Sequence, residues 1–109
     1  MTYIEVREFV SSFDYPYSYY QFPKGAAVAP PFCVFYFPDS DDFMADNQNY
    51  TGIRQLVIEF YFDNKDFDAE ASIEEKFAEA EIPYNKTEIY IDDEQLFEVA
   101  YETEVLING

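Results

Sequence analysis

Histidine and tryptophan are missing from these 109 residues, which hold one cysteine, three glycines and six basic side chains. Each shortage removes a class of chemistry. Without histidine there is neither the usual general base nor the commonest zinc ligand. One cysteine cannot close an intrachain disulfide. Cys33 sits inside the apolar run FCVFYF and reads as a small buried hydrophobe, since a catalytic thiol would want a histidine partner. Gly25, Gly52 and Gly109 stand far apart, so no phosphate-cradling glycine loop can form. The bases Arg7, Lys24, Arg54, Lys65, Lys76 and Lys86 are scattered, which argues against direct nucleic-acid binding. No apolar run approaches the roughly 18 residues of a membrane helix. The start MTYIEVREF has acids where a signal peptide needs a basic segment, so a soluble chain that is not secreted by that route is expected.

What is abundant is acid and aromatic surface together. Asp and Glu number 23, the formal net charge is −17, and 21% of residues are aromatic, with 11 Tyr and 12 Phe. A disordered acidic tail lacks core formers, whereas this chain has them in excess. The charge is therefore expected on a folded surface that repels phosphate and anionic lipid. The length predicts one domain over residues 1–109.

Thr2 and Glu5 fit a capping box, and Val6, Phe9, Val10 and Phe13 follow at helical spacing, which predicts a short first helix. The tyrosines Tyr15, Tyr17, Tyr19 and Tyr20 lead into an extended segment that Pro23, Lys24 and Gly25 break. Phe32 to Phe37 is apolar on both faces, as expected of a covered central strand. Residues 39–50 read as an exposed polar loop. Leu56, Ile58, Phe60 and Phe62 alternate with Gln55, Val57, Glu59 and Tyr61 along a long strand. Asp66 or Asp68 can cap a second helix. Its expected inward stripe is Ala69, Ile73, Phe77 and Ala80, with Glu70, Glu74, Glu75 and Glu79 facing water. A hairpin closes the chain, with Glu98, Glu102 and Glu104 on one face of its last strand. The order α-β-β-β-α-β-β predicts an α+β fold: a five-stranded, mostly antiparallel or mixed sheet with two helices on one face.

No catalytic, cofactor or metal site is expected. Pairs such as Asp41–Asp42 and Asp92–Asp93 read as turn and surface acids. An EF-hand loop from Asp39 would need Gly at its sixth position and Glu at its twelfth, where the chain has Met44 and Tyr50. The tyrosine run is too dense to bury entirely, and Tyr is enriched at interfaces, so Tyr15, Tyr17, Tyr19 and Tyr20 are candidates for an assembly surface.

Three stretches carry a resemblance. One is Phe22-Pro23-Lys24-Gly25 leading into PPFCVFYFPDSDDFMADNQNY. The second is IRQLVIEFYFDNKDFDAEASIEEKF, and the last is IPYNKTEIYIDDEQLFEVAYETEVLING. From about Tyr19 onward the chain resembles the tail terminator, or tail-to-head joining, proteins of the neck of long-tailed phages and prophages. The resemblance implies an α+β sandwich and a non-enzymatic structural role. It implies a ring, typically a hexamer, that caps the finished tail tube and joins it to the head connector. The implied partners are further copies of the chain, the tail tube protein and a head-completion or connector protein. The resemblance further implies that DNA passes through the ring without being bound and that no membrane is involved. The implied location is the host cytoplasm during assembly and then the virion neck. The loop from Asp39 to Gly52 would take part in ring or tube contacts, with Asp41 and Asp42 in it and Phe43 and Met44 as apolar anchors. An acidic bore would repel exiting DNA, and ring formation would then depend on screening salt. Charge alone supports a different reading, an acidic inhibitor that mimics DNA and blocks a nucleic-acid-binding protein.

Overall fold

A computed structural model describes residues 1–23, 25, 28–38 and 52–107. The expected element order is found: α1 (Tyr3–Ser11), β1 (Tyr17–Tyr19), β2 (Phe32–Tyr36), β3 (Gly52–Phe62), α2 (Phe67–Glu79), β4 (Asn85–Ile91) and β5 (Leu96–Ile107). The strands form one mixed five-stranded sheet in the order β1-β2-β3-β5-β4. β1 runs parallel to β2, and the other neighbours are antiparallel. Among the described residues the fold is α+β, with two helices beside this mixed sheet, as the chain's periodicity predicts.

Local chemistry sets the helix ends. Thr2 caps α1, accepting from the Glu5 amide while the Glu5 carboxylate accepts from the Thr2 amide at 2.7 Å, so both halves of the capping box form. At the start of α2 the Asp66 carboxylate accepts from the Ala69 amide at 3.0 Å. That helix ends in a Schellman motif. The Ile82 amide donates to the Phe77 carbonyl at 2.9 Å, and the Glu81 amide donates to the Ala78 carbonyl at 3.0 Å. The motif puts Glu81 at φ 57°, a left-handed conformation that favours glycine. Glu81 is exposed and its side chain has no packing role to lose. Glu81→Gly is therefore expected to raise stability by about 1 kcal/mol, read as a higher urea midpoint at unchanged m-value.

One core lies between the sheet and the helices. Val6 and Val10 from α1 and Ile73 and Phe77 from α2 meet Cys33, Phe35, Leu56, Ile58, Phe60, Phe62, Val99 and Tyr101 from the sheet. Burial pushes the Cys33 thiol up to about 12, which leaves it an inert core group.

Two residues of α2 depart from the expected pattern. Glu70, expected in water, is 3% exposed, and Ala80, expected inward, is the exposed C-cap. The cause lies across the sheet. The register Lys86↔Tyr101 turns Lys86 toward the helical side, so Glu70 finds a cation there. The same register turns Ile89 and Ile91 to the face away from the helices.

Candidate assembly surface

Successive residues of a strand point to opposite faces, so the registers define a second sheet face. Tyr36 pairs with Val57, Val34 with Glu59, and Phe32 with Tyr61. Tyr61 pairs with Glu98, Val57 with Glu102 and Gln55 with Glu104. This outer face, opposite the helices, carries the carboxylates of Glu59, Glu98, Glu102 and Glu104. Among the described residues it carries no base. Arg7 and Lys76 are on the helices, Lys65 is in the turn before α2, and Arg54 and Lys86 lie on the helical side of the sheet. Arg54 is buried there, donating to the Tyr3 hydroxyl, with its guanidinium 4.9 Å from the centre of the Phe37 ring. An open groove of about 490 Å³ lies between the approach to β4, Pro83 to Asn85, and Gln55, Val57, Glu102 and Glu104 of this face.

Aromatic rings extend this face toward the β1 edge. Phe32 stacks on Tyr61 with ring centres 5.0 Å apart, and Phe22 meets Phe32 edge-on at 5.5 Å. Tyr20 packs on Tyr36 at 5.3 Å. Tyr20 sits at φ 69°, held by its amide bond to the Phe35 carbonyl at 2.8 Å, and is 65% exposed. A bulky side chain in that conformation stores strain of about 1–2 kcal/mol.

The tyrosine cluster is divided by the fold. Tyr15 packs edge-on against Phe60 and Phe62, each at 5.9 Å, and is half-buried. Tyr17 and Tyr19 lie over Phe35 on the helical side of the sheet edge, 36% and 48% exposed. Tyr20 faces the other way. The edge of the sheet is thus wrapped in tyrosine on both sides. Asp41, Asp42, Phe43 and Met44 lie outside the described residues.

The grouping of Glu59, Tyr61 and Glu98 has no signature in the sequence. Tyr61 donates toward Glu59 at 2.8 Å and lies 2.9 Å from Glu98, and Tyr36 donates to the other Glu59 oxygen at 2.8 Å. Burial first, and the bonds to Glu59 second, push the Tyr36 and Tyr61 hydroxyls up, so both remain protonated donors. Alternation placed Glu59 and Tyr61 away from the apolar stripe. Only the register Tyr61↔Glu98 brings the second carboxylate to them.

A separate charge network lies on the helical side. Lys65 pairs with Glu70 at 2.6 Å and with Glu88, and Lys86 pairs with Glu70 and Glu74, each at 2.7 Å. Tyr101 donates to Glu74 at 2.9 Å. This network ties α2 to β4 and β5 and is structural in kind. Among the described residues, no group of three or more His, Cys, Asp or Glu could hold a metal ion. No helix among them is long and apolar enough to cross a membrane. No family model matches the chain, and neither a curated protein nor a solved structure matches it.

Proposed function

We propose that this chain is a structural subunit of a phage or prophage neck, a tail terminator that closes the finished tail tube as a ring and joins it to the head connector. The observation that carries the reading is the tyrosine-wrapped β1 edge, where Tyr17, Tyr19 and Tyr20 are exposed beside a strand of three residues. Exposed aromatic clusters on this scale mark protein contacts. β1 and β4 are opposite edges of the sheet, so contacts between unlike edges are head-to-tail and can close into a ring. The resemblance of the chain from Tyr19 onward supplies the biological setting. In this reading the partners are other copies of the chain, the tail tube protein and a head-completion or connector protein. The protein acts without catalysis, binds no nucleic acid directly, and passes from the host cytoplasm to the virion neck.

The outer face also favours a second reading. Four glutamates share it with no base among the described residues, as an acidic inhibitor that mimics DNA would require. The rings of Phe32, Tyr36 and Tyr61 between them suit a protein contact better than a copy of a phosphate backbone.

Negative-stain microscopy of lysates from the source phage with this gene deleted separates the two. Filled heads beside overlong or unjoined tails are expected. Normal virions that fail only in certain hosts would sink the neck reading and favour the inhibitor.

A further inference from the structure

Two carboxylate sites in this fold meet the same electrostatic problem in different ways. Under α2, Glu70 is met by Lys65 and Lys86. On the outer face, Glu59 and Glu98 have no basic neighbour among the described residues.

Counting protons shows what stands in for the cation. The Tyr61 hydroxyl lies 2.8 Å from Glu59 Oε1 and 2.9 Å from Glu98 Oε1, and Tyr36 approaches Glu59 Oε2 at 2.8 Å. Three oxygen-to-oxygen contacts at hydrogen-bond length call for three protons, and two phenols supply two. With both carboxylates ionised, one contact of Tyr61 would be a bare approach of oxygen lone pairs. One more proton on a carboxyl completes the set. Tyr61 then donates to Glu59 and accepts from Glu98.

We propose that Glu98 holds the third proton and donates it to Tyr61, and that this group makes the charge of the outer sheet face sensitive to pH. Every element packed there contributes to the setting. Tyr36 comes from β2, Glu59 and Tyr61 from β3, and Glu98 and Glu102 from β5. β4 presents Ile89 and Thr87, which carry no charge. Two like charges in a partly buried site with no counter-charge among the described residues are strongly disfavoured, and a proton on one of them relieves this. In agreement, burial pushes the Glu98 carboxyl up and the nearby Glu59 adds to the shift, against the opposing bond from Tyr61.

The direction of the pH effect follows. A carboxyl raised in the folded state gives its full stabilisation below the unfolded value, and that contribution is lost as pH rises through the folded value. This slope is opposite to that of the lysine-paired Glu70.

The test combines a carbon-13 NMR titration of the side-chain carboxyls with the variant Glu98→Gln, whose amide keeps a donor and removes the charge. The Glu98 carbon is expected to titrate above the ordinary glutamate value of about 4.3. Glu98→Gln is expected to raise Tm at pH 8 by about 4 °C and to leave it unchanged near pH 4. A Glu98 carbon titrating at the ordinary value, or a Tm at pH 8 that is unchanged or lower in Glu98→Gln, would overturn the proposal. Should the variant not fold, the titration of the unmodified chain decides alone.

Discussion

Replacing Phe77 by alanine is expected to lower the unfolding free energy by about 4 kcal/mol. Phe77 has no exposed surface and sits at the centre of the aromatic core. Its ring stacks on Tyr101 at 5.1 Å and meets Phe9 at 5.2 Å, Phe13 at 5.8 Å and Tyr84 at 5.0 Å. Those partners come from α1, the segment after it, the approach to β4, and β5. Truncation therefore leaves a cavity walled by elements that are fixed by their own hydrogen bonds and cannot collapse into it. A domain of this size has a total stability of about 5–15 kcal/mol. Such a loss would lower Tm by about 20 °C, which calorimetry or a guanidinium series would detect. Phe67, on the same helix but 74% exposed, is the control. Phe67→Ala is expected to change stability by about 0.5 kcal/mol or less. A similar loss at both positions would mean that the ring cluster around Phe77 is not the core.

Glu70→Gln is expected to destabilise the fold by about 2–3 kcal/mol at pH 7. Burial alone would raise the Glu70 carboxyl, but the bonds from Lys65 and Lys86 outweigh it and hold it below the ordinary range. Glu74 is lowered too, first by its bond from Lys86 and also by the Tyr101 hydroxyl. For a carboxyl depressed in the folded state, the stabilisation is present above the unfolded value and is lost as pH falls through the folded value. The unmodified protein should therefore weaken as pH drops below about 4, and the gap between it and Glu70→Gln should narrow there. Lys65 and Lys86 are partly exposed, so they regain water once the charge is gone. That keeps the effect below the largest values for broken buried pairs. A gap that stays constant from pH 7 to pH 3 would show that lost packing, and not the ion pairs, explains the variant.

Much of the framework can be read along the chain because its signals are local. Thr2 with Glu5, Asp66 before α2, and the alternation from Leu56 to Phe62 each act within a few residues. What escapes local reading is register. Helical periodicity assigns Glu70 to water, because nothing near it in the chain announces that Lys86 will arrive on the same side. Likewise, β1 pairs in parallel with β2, a choice that depends on the intervening connection and not on the tyrosines themselves. The tyrosine cluster was visible as an excess, but only the turn at Tyr20 sends one ring to the outer face and leaves Tyr19 on the other. The Glu59–Tyr61–Glu98 group depends on a pairing between residues 37 apart and has no local signature.

The position of β5 has a bearing on how the protein is made. It is the last of the described strands to leave the ribosome, yet it lies between β3 and β4 in the sheet. Until it emerges, β3 holds one open edge of 11 residues, rich in aromatic and branched side chains, and β4 has no partner among the described strands. Even the amino group of Met1 waits for β5, donating to the Leu106 carbonyl at 2.9 Å. The sheet therefore cannot close until β5 has been synthesised, and an unfinished β3 edge on one nascent copy is a template for another. Like charge on neighbouring nascent copies opposes that pairing during the interval. On this argument the net charge of −17 bears on synthesis as well as on the folded surface.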